Sequence, residues 1–374
     1  MRVVLSGGGS GGHIYPALAI AEGLKAWQPR VELLYIGTQH GLERELVPRA
    51  GVPFRTIHAR GLLVRGVKGK VAGAVSAAKG LGEALGILRE FRPDVVVGTG
   101  GYVSGPVGLA ASWLKVPLVI QEQNAWPGFT NRELAKRAYA VFVPYDEARA
   151  RFPRGTHVII AGNPIKVPPT IVSRSTARHA LGLDEHLRVV MATGGSQGAE
   201  AINALMSRIL RACQDDGRIG VLWATGPRYY QAVIAELQRL LPDGWDAARI
   251  RVEPYFYQIQ QMYQASDLYV GRAGAMTLTD CAAFGLPAVL IPSPHVSEDH
   301  QTKNARAVER RGAAVVMTEA EALAHPEEVL ALLRDDMRLE RMAEAMHALF
   351  DATALDRIVE TVRRAAEERR RSWR

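Results

Sequence analysis

A glycine-rich run, Gly7-Gly-Gly-Ser-Gly-Gly-His13, contains the first residues of the chain that could do chemistry. It follows the apolar segment Val3–Leu5 and precedes a helix predicted over Ile14–Trp27. Glycines let backbone N–H groups approach a ligand closely, and the N-terminus of a helix favours phosphate. The His13 imidazole could take a proton from a substrate hydroxyl, or it could only cap the helix or orient a substrate. A tight turn that binds no ligand explains this single loop equally well.

Three more glycine loops follow apolar segments, at Gly98–Gly105, Gly194–Gly198 and Gly271–Asp280. Another segment, Gln121–Asn124, supplies amides and a carboxylate, which suit sugar hydroxyls but also occur at ordinary loop entries. In an open parallel sheet, ligands bind beyond the carboxyl ends of the strands. The four glycine loops are therefore predicted to converge on one cleft between two domains.

The elements that would position these loops alternate between short β-branched segments and longer helical patterns, which indicates parallel βαβ units and an α/β fold. Arg2–Gly12 and Arg188–Gly198 both read as strand, glycine loop and helix, so the chain is predicted to begin the same fold twice. The proline-rich segment Gly162–Pro169 is interpreted as a linker, with the domain boundary near Asn163. The predicted strands are Val3–Leu5, Leu33–Ile36, Val95–Val97, Leu118–Ile120, Val189–Met191, Gly220–Trp223, Leu268–Val270 and Val289–Ile291.

The composition indicates a globular protein with an anionic partner. Of the 374 residues, 48% are hydrophobic, which is enough to fill the cores of two domains. The formal net charge of +8 favours a phosphorylated substrate, a nucleic acid or an acidic lipid surface. The sequence has no nucleic-acid-binding signature and no apolar segment long enough to span a membrane, and Cys213 and Cys281 form no disulfide or zinc pattern. It has no Asp-x-Asp motif either, so a metal-bound diphosphate is not indicated. No cofactor is predicted.

Six short motifs occur in one order along the chain. They are Gly8–His13 followed by Pro16, Gly98–Pro106, Glu122–Asn124, Gly162–Pro164, Gly194–Gly198 and Gln301–Ala305. Together they resemble the peptidoglycan N-acetylglucosaminyltransferases, which convert undecaprenyl-pyrophosphoryl-N-acetylmuramyl-pentapeptide (lipid I) into lipid II. The resemblance extends from about Arg2 to the last helical segment.

This resemblance implies an α/β fold of the GT-B type, with two Rossmann-like domains and a deep interdomain cleft. Residues 1–163 would form the acceptor-binding, membrane-facing domain, and residues 164–350 the UDP-sugar-binding domain. Residues 351–374 would form a helix that returns to the N-terminal domain. The apolar stripe of that helix, from Leu355 to Ala366, favours packing against a domain over lying on a membrane.

The resemblance also implies the residues of an active site, with His13 as the general base. Backbone groups near Phe256 would recognise uracil, although an aromatic residue there could equally belong to the core. Two positions depart from the family pattern: Lys166 stands where arginine is common, and Asp280 where a glutamate commonly meets the ribose hydroxyls. The implied substrate-binding residues are Ser10, Gly11, Gly12, Asn124, Lys166, Ser196, Phe256, Ala275, Met276, Thr277, Leu278, Thr279, Asp280 and Gln301.

The implied reaction is inverting transfer of N-acetylglucosamine from UDP-N-acetylglucosamine to the 4-hydroxyl of N-acetylmuramic acid in lipid I. The implied location is the cytoplasmic face of the cell membrane, where the protein would be peripheral and would bind no nucleic acid. Leu62–Val64 with Arg65, Lys68 and Lys70 is a hypothesis for the membrane-facing segment, with core packing of the apolar residues as the alternative. A UDP-N-acetylglucosamine epimerase, which resembles the same architecture, is the alternative enzyme. A nucleotide-sugar-binding module without turnover, or a dinucleotide-binding oxidoreductase, is the alternative from another class.

Overall fold

The computed structural model describes residues 1–59, 67–167 and 171–372, without the side chains of 67–74 and 297. The chain divides into two compact units. Unit 1 comprises Met1–Lys166 and Asp351–Arg374, and unit 2 comprises Val167–Phe350. No helix in the described parts of the chain is long and apolar enough to cross a membrane.

Unit 1 is built on a parallel sheet that has seven strands within the described residues, in the order β3-β2-β1-β4-β5-β6-β7. The side chains of β1 alternate between the two faces of the sheet, so Val3 and Leu5 belong to one apolar core and Val4 belongs to the other. The elements are β1 Arg2–Gly7, α1 Gly11–Trp27, β2 Glu32–Gly37, α2 Glu43–Arg49, β3 Phe54–Thr56, α3 Val67–Phe91, β4 Val95–Gly100, α4 Ser104–Trp113, β5 Leu118–Gln121, α5 Phe129–Ala135, β6 Ala140–Val143, α6 Asp146–Arg149 and β7 Val158–Ile160.

Unit 2 repeats this plan with six strands in its described part, in the order β10-β9-β8-β11-β12-β13. All strand pairs are parallel, as in unit 1. The predicted α/β fold with two Rossmann-like units is thereby confirmed. The elements are α7 Arg174–Ala180, β8 Arg188–Thr193, α8 Glu200–Cys213, β9 Ile219–Ala224, α9 Tyr230–Leu240, β10 Ile250–Glu253, α10 Ile259–Ala265, β11 Leu268–Gly271, α11 Ala275–Ala283, β12 Ala288–Leu290, a 3-10 turn Ser297–Asp299, α12 His300–Glu309, β13 Ala314–Val316, α13 Glu319–Ala324, α14 Pro326–Leu333 and α15 Asp336–His347.

The two glycine loops that were predicted to be equivalent have the same backbone conformation at their turning point. Gly9 after β1 and Gly195 after β8 both have a φ of 86°. A side chain would strain the backbone in this left-handed region, so each loop needs glycine there. The shared sequence pattern therefore reflects a shared turn.

The last helix, α16 (Ala354–Ser372), packs on unit 1. Its apolar stripe is buried in the same core as α1 and β1, and includes Ile358, Val359 and Val362. The charged residues of α16 occupy its remaining faces, as expected for a helix with one buried side. The helix therefore stabilises unit 1 although it follows unit 2 in the sequence.

Candidate active site

The loop between β1 and α1 is held by hydrogen bonds to its carbonyl groups. The Tyr35 hydroxyl donates to the carbonyl of Gly7 at 2.8 Å, and the Thr99 hydroxyl donates to the carbonyl of His13 at 2.7 Å. Ser10 is the N-cap of α1, but its exposed side chain makes no capping hydrogen bond. The first N–H groups of a helix have no partner within the helix. Ser10, Gly11 and Gly12 thus present polar groups that suit an anionic or hydroxylated ligand.

A fully buried carboxylate, Glu43, holds the same loop from α2. It accepts hydrogen bonds from the N–H of Gly9 at 3.2 Å, the N–H of Thr38 at 3.0 Å and the hydroxyl of Thr38 at 2.7 Å. A buried carboxylate is stable only when its oxygens are hydrogen-bonded in this way. Glu43 was not predicted from the sequence, and it fixes the loop rather than facing a substrate.

The loop after β4 lies directly beside His13. Gly100 has a φ of 104°, and a Cβ built on it would lie 3.0 Å from His13 Nδ1. Glycine is therefore required both by the backbone conformation and by the approach of the imidazole. Within unit 1, the predicted convergence of the first two glycine loops is confirmed. Their place, between β1 and β4, is where the strand order reverses and where α/β sheets bind ligands.

The Gln121–Asn124 segment, for which sugar binding and an ordinary loop entry were both open, is mostly turned inward. Gln121, Glu122 and Gln123 are each at most 1% exposed, whereas Asn124 is half-buried. His13 Nδ1 lies 2.9 Å from Oε1 of Gln123, so this segment contacts the candidate base rather than solvent. Of the segment, only Asn124 is placed to meet a ligand.

Glu122 accepts four hydrogen bonds, which saturate its carboxylate. Oε1 accepts from the backbone and side-chain N–H groups of Asn124, both at 2.9 Å, and Oε2 accepts from the Gly128 N–H at 3.0 Å and the Asn131 amide at 2.8 Å. Glu122 thus positions Asn124 and the start of α5. The Oδ1 of the buried Asn131 has no hydrogen-bond partner within the described structure. An unmatched buried acceptor of this kind calls for an explanation such as water or a ligand donor.

In unit 2, the loop after β8 presents Ser196 at an exposed position. The loop is closed by a hydrogen bond from the Gly195 N–H to the Thr193 hydroxyl at 3.0 Å. The helix α11 begins at Ala275, after an N-cap residue, Gly274, that has no side chain to cap it. Its first-turn N–H groups are thus suited to a diphosphate.

Leu278, one of the predicted donor-binding residues, is committed to the protein interior. Its side chain is 2% exposed and lies in the apolar core of unit 2. Its N–H donates to the Gly274 carbonyl at 3.0 Å within α11. Neither group is left for a ligand, because Leu278 lies on the buried face of α11. Ala275, Met276, Thr277 and Thr279 remain half-buried on the same helix.

Asp280 is half-buried on α11. Burial raises the pKa of this carboxyl to about 7. The cause is loss of hydration, because a charged carboxylate is poorly solvated in a protein interior. A perturbed carboxyl of this kind is a common feature of functional sites. A carboxyl with a raised pKa thus stands at the position where the family resemblance implies a ribose contact.

Gln301 and Phe256 are each partly committed to the protein itself. The side-chain carbonyl of Gln301 accepts from the Ser293 N–H at 2.9 Å, which leaves its amide nitrogen as the group for a ligand. Phe256 is 6% exposed and packs in the core, so backbone groups would have to make any contact with uracil there.

The backbone is strained just before α12. Glu298 and Asp299 have φ values of 55° and 51°, and strained residues of this type cluster at functional sites.

Lys166 is the last residue of the first segment of unit 1, close to the domain boundary predicted near Asn163. It is exposed and pairs with Glu22 of α1 at 3.3 Å. Exposed ion pairs of this kind contribute little to stability and break readily.

Across the described residues, no group of three or more His, Cys, Asp and Glu side chains could hold a metal ion.

Comparisons with known proteins cover both units. The glycosyltransferase family 28 N-terminal domain matches residues 3–143, and the family's C-terminal domain matches residues 189–359. A UDP-N-acetylglucosamine--N-acetylmuramyl-(pentapeptide) pyrophosphoryl-undecaprenol N-acetylglucosamine transferase from Moorella thermoacetica is 46% identical over 98% of this chain and 100% of its own.

Two solved structures have similar folds. The crystal structure of Acinetobacter baumannii MurG has a TM-score of 0.77 at 26% identity, and the match covers 97% of this chain and 99% of that chain. A UDP-GlcNAc 2-epimerase from Neisseria meningitidis, bound to UDP-GlcNAc, has a TM-score of 0.67 at 16% identity, with coverage of 97% and 100%. The likeness to the epimerase shows the fold alone.

Proposed function

Because this chain belongs to glycosyltransferase family 28, we propose that it transfers N-acetylglucosamine from UDP-N-acetylglucosamine to the 4-hydroxyl of N-acetylmuramic acid in lipid I, forming lipid II. The observation that carries this proposal is the 46% identity, over nearly the full length of both chains, with the Moorella thermoacetica transferase. The chemistry of the loops agrees with it, since unit 1 contributes a histidine beside a glycine loop and unit 2 contributes helix N-termini suited to a diphosphate.

The proposed step is a single displacement with inversion at the anomeric carbon. His13, or a water that it holds, removes the proton of the acceptor 4-hydroxyl, and the oxygen forms a bond to the anomeric carbon. The bond from that carbon to the β-phosphate oxygen breaks, and UDP leaves with the electron pair. N–H groups near Ser196 and at the start of α11 would stabilise the charge on the leaving diphosphate, with Lys166 as an additional cation.

Donor binding is expected to depend on Ser196 and Gln301. Replacing either residue with alanine removes a polar partner from the proposed site, so the Kd for UDP should rise about 3- to 30-fold. Calorimetry would measure the change, with Ser175→Ala and Gln238→Ala as controls at exposed positions of the same unit. Unchanged UDP binding in both site variants would show that the donor binds elsewhere.

The affinity for UDP-N-acetylglucosamine is expected to increase with pH between about 6 and 8. The pKa of Asp280 in the free protein is raised to about 7, and a ribose hydroxyl would donate to the ionised form. Below that pKa the carboxyl of Asp280 must lose its proton before it can accept this hydrogen bond. The affinity for UDP-N-acetylglucosamine should therefore fall by up to about tenfold for each unit by which the pH is lowered. The intact sugar nucleotide is the right probe, because the terminal phosphate of UDP titrates in the same range. Asp280→Asn should flatten the profile, and a wild-type profile that is already flat would rule out the contact.

Asp280 should also have a measurable effect on stability. Its pKa in the folded protein is higher than the usual value of 3.8, so the folded state binds the proton more tightly than the unfolded chain. Its contribution to stability is therefore present at low pH and lost as pH rises through about 7. Asp280→Asn should accordingly raise the midpoint of thermal unfolding at pH 8 while weakening donor binding.

We propose in addition that unit 1 associates with an anionic membrane at its cytoplasmic face, as a lipid-linked acceptor requires, and that nucleic acid is not a partner. The net charge of +8 supports this. Leu62–Val64 and Arg65 lie outside the described residues, as do the side chains of Lys68 and Lys70. The segment therefore remains a hypothesis based on its apolar and basic sequence.

Reversing the charges of Arg65, Lys68 and Lys70 together is expected to weaken binding to anionic vesicles and to slow transfer to lipid I. Each basic residue near such a surface contributes about 1 kcal/mol, and added salt should mimic the change. UDP binding should not change. Co-sedimentation with vesicles measures the effect, and reversal of Arg211, Arg239 and Arg341 in unit 2 is a control of equal charge. An equal loss of vesicle binding in both triple variants would indicate that the net charge of the protein, rather than this segment, determines membrane binding.

A further inference from the structure

The side-chain amide of Gln123 is fixed in one orientation. Its nitrogen donates to the backbone carbonyl of Thr99 at 2.7 Å and to that of Gln121 at 3.0 Å, and it also donates to Oε1 of the Gln121 side chain. A carbonyl oxygen can only accept a hydrogen bond. Rotating the amide by half a turn would place Oε1 of Gln123 against all three acceptors. Since Gln123 is 1% exposed, no bulk water could compensate for that arrangement.

Two hydrogen bonds with Asn163 also support this orientation. The Gln121 amide nitrogen donates to Oδ1 of Asn163 at 2.8 Å, and the Asn163 amide nitrogen donates to the backbone carbonyl of Gln123 at 3.1 Å. Gln121 and Asn163 are 0% and 4% exposed. The three amides thus form a buried network in which each nitrogen faces an oxygen. In such a network the orientation of one member constrains the next.

The fixed amide directs its oxygen to the imidazole of His13, where Oε1 lies 2.9 Å from Nδ1. Because this oxygen can only accept, Nδ1 must be the donor. A neutral imidazole carries one hydrogen, so Nε2 then holds the lone pair. In the opposite tautomer, two lone pairs would face each other across the same distance.

We infer that Gln123 is a positioning residue that holds neutral His13 in the Nδ1–H tautomer, so that Nε2 is the atom that accepts the proton of the acceptor hydroxyl. The inference rests on the proposed role of His13 as the base. It assigns to a neutral amide the orienting function that a carboxylate serves in the catalytic triads of hydrolases. Because the amide carries no charge, it selects the tautomer without adding a negative charge beside the base.

Nitrogen-15 NMR of protein labelled at histidine tests the tautomer without any variant. The chain has ten histidines, and loss of one set of signals in His13→Ala assigns His13. In the wild-type protein at a pH where His13 is neutral, we expect a pyrrole-type shift at Nδ1 and a pyridine-type shift at Nε2. His157 is an internal reference, because its Nδ1 lies 3.1 Å from the backbone carbonyl of Tyr139 and should give the same pattern. A wild-type His13 with its hydrogen on Nε2 would overturn the inference.

A pair of variants then separates tautomer control from general damage to the network. Gln123→Met removes the acceptor for Nδ1, so the Nδ1–H signature should be lost and kcat should fall about 10- to 100-fold, with the KM for the donor unchanged. Gln121→Met also removes a buried amide, but it leaves the Thr99 and Gln121 backbone carbonyls to orient Gln123. That variant should keep the Nδ1–H signature and lose less activity.

The outcomes distinguish this inference from the proposed function. An equal loss of kcat in Gln123→Met and Gln121→Met, with the Nδ1–H signature retained in both, would show that Gln123 has only a structural role. A wild-type Nε2–H tautomer together with an inactive His13→Ala would overturn the inference and leave the role of His13 intact. The expected Nδ1–H tautomer together with an active His13→Ala would contradict the proposed base instead.

Discussion

Replacing His13 with alanine is expected to lower kcat for transfer to lipid I by about 10²–10⁴-fold. The residue is half-buried beside two glycine loops, and its imidazole is oriented by Gln123. Removing the side chain removes the proposed proton acceptor but none of the donor-binding elements of unit 2. The expected result is therefore a loss in kcat with little change in UDP binding, measured by steady-state transfer assays and calorimetry.

A matched control for this prediction is His157→Ala, an exposed histidine of the same unit. That variant should keep wild-type kcat, since its ring contacts only the carbonyl of Tyr139 among its described contacts. If His13→Ala turns over at near the wild-type rate at saturating acceptor, the histidine only shapes the loop, and the base must be sought elsewhere.

Replacing Glu122 with glutamine is expected to destabilise unit 1 by about 2–5 kcal/mol. The carboxylate accepts four hydrogen bonds in a site that is 1% exposed. A glutamine has one accepting oxygen, so its NH2 group would face two donors that then lack a partner. Either Asn124 or the start of α5 would lose the contact that positions it, and the transfer rate should fall together with the midpoint of thermal unfolding.

Glu133→Gln makes the same chemical change at an exposed position on α5 and should alter stability by no more than about 0.5 kcal/mol. Thermal unfolding of both variants and the wild type is the measurement. If Glu122→Gln unfolds at the wild-type temperature, the four hydrogen bonds to Glu122 contribute little, and its assigned structural role is wrong.

The fold was largely predictable because its signals are local. Alternating apolar segments and glycine loops indicated parallel βαβ units, and the repetition of Arg2–Gly12 in Arg188–Gly198 indicated two of them. The start of α1 was placed too late, at Ile14 rather than Gly11. Apolar periodicity begins at Ile14, and glycine has low helix propensity, so the pattern could not include the first turn.

The supports of the site could not be predicted, because they join residues far apart in the chain. Glu43 contacts Gly9 across 34 positions, and Gln123 contacts His13 across 110. Polarity alone also does not tell which way a strand-end side chain points, so the sequence left open whether Gln123 faces a sugar or belongs to an ordinary loop entry. Leu278 was included with its neighbours because the family resemblance implied the whole segment, whereas a helix turns every third or fourth side chain toward the core.

The central claim is most directly tested by incubating the protein with radiolabelled UDP-N-acetylglucosamine and lipid I, and determining the anomeric configuration of the product. We expect one UDP released for each sugar transferred, label in the lipid-linked product, and a β-linkage formed from the α-linked donor. Parallel incubation with the donor alone should give neither lipid product nor epimerised sugar. Epimerised UDP-sugar without acceptor, or an α-linked product, would contradict the inverting transfer proposed for this chain.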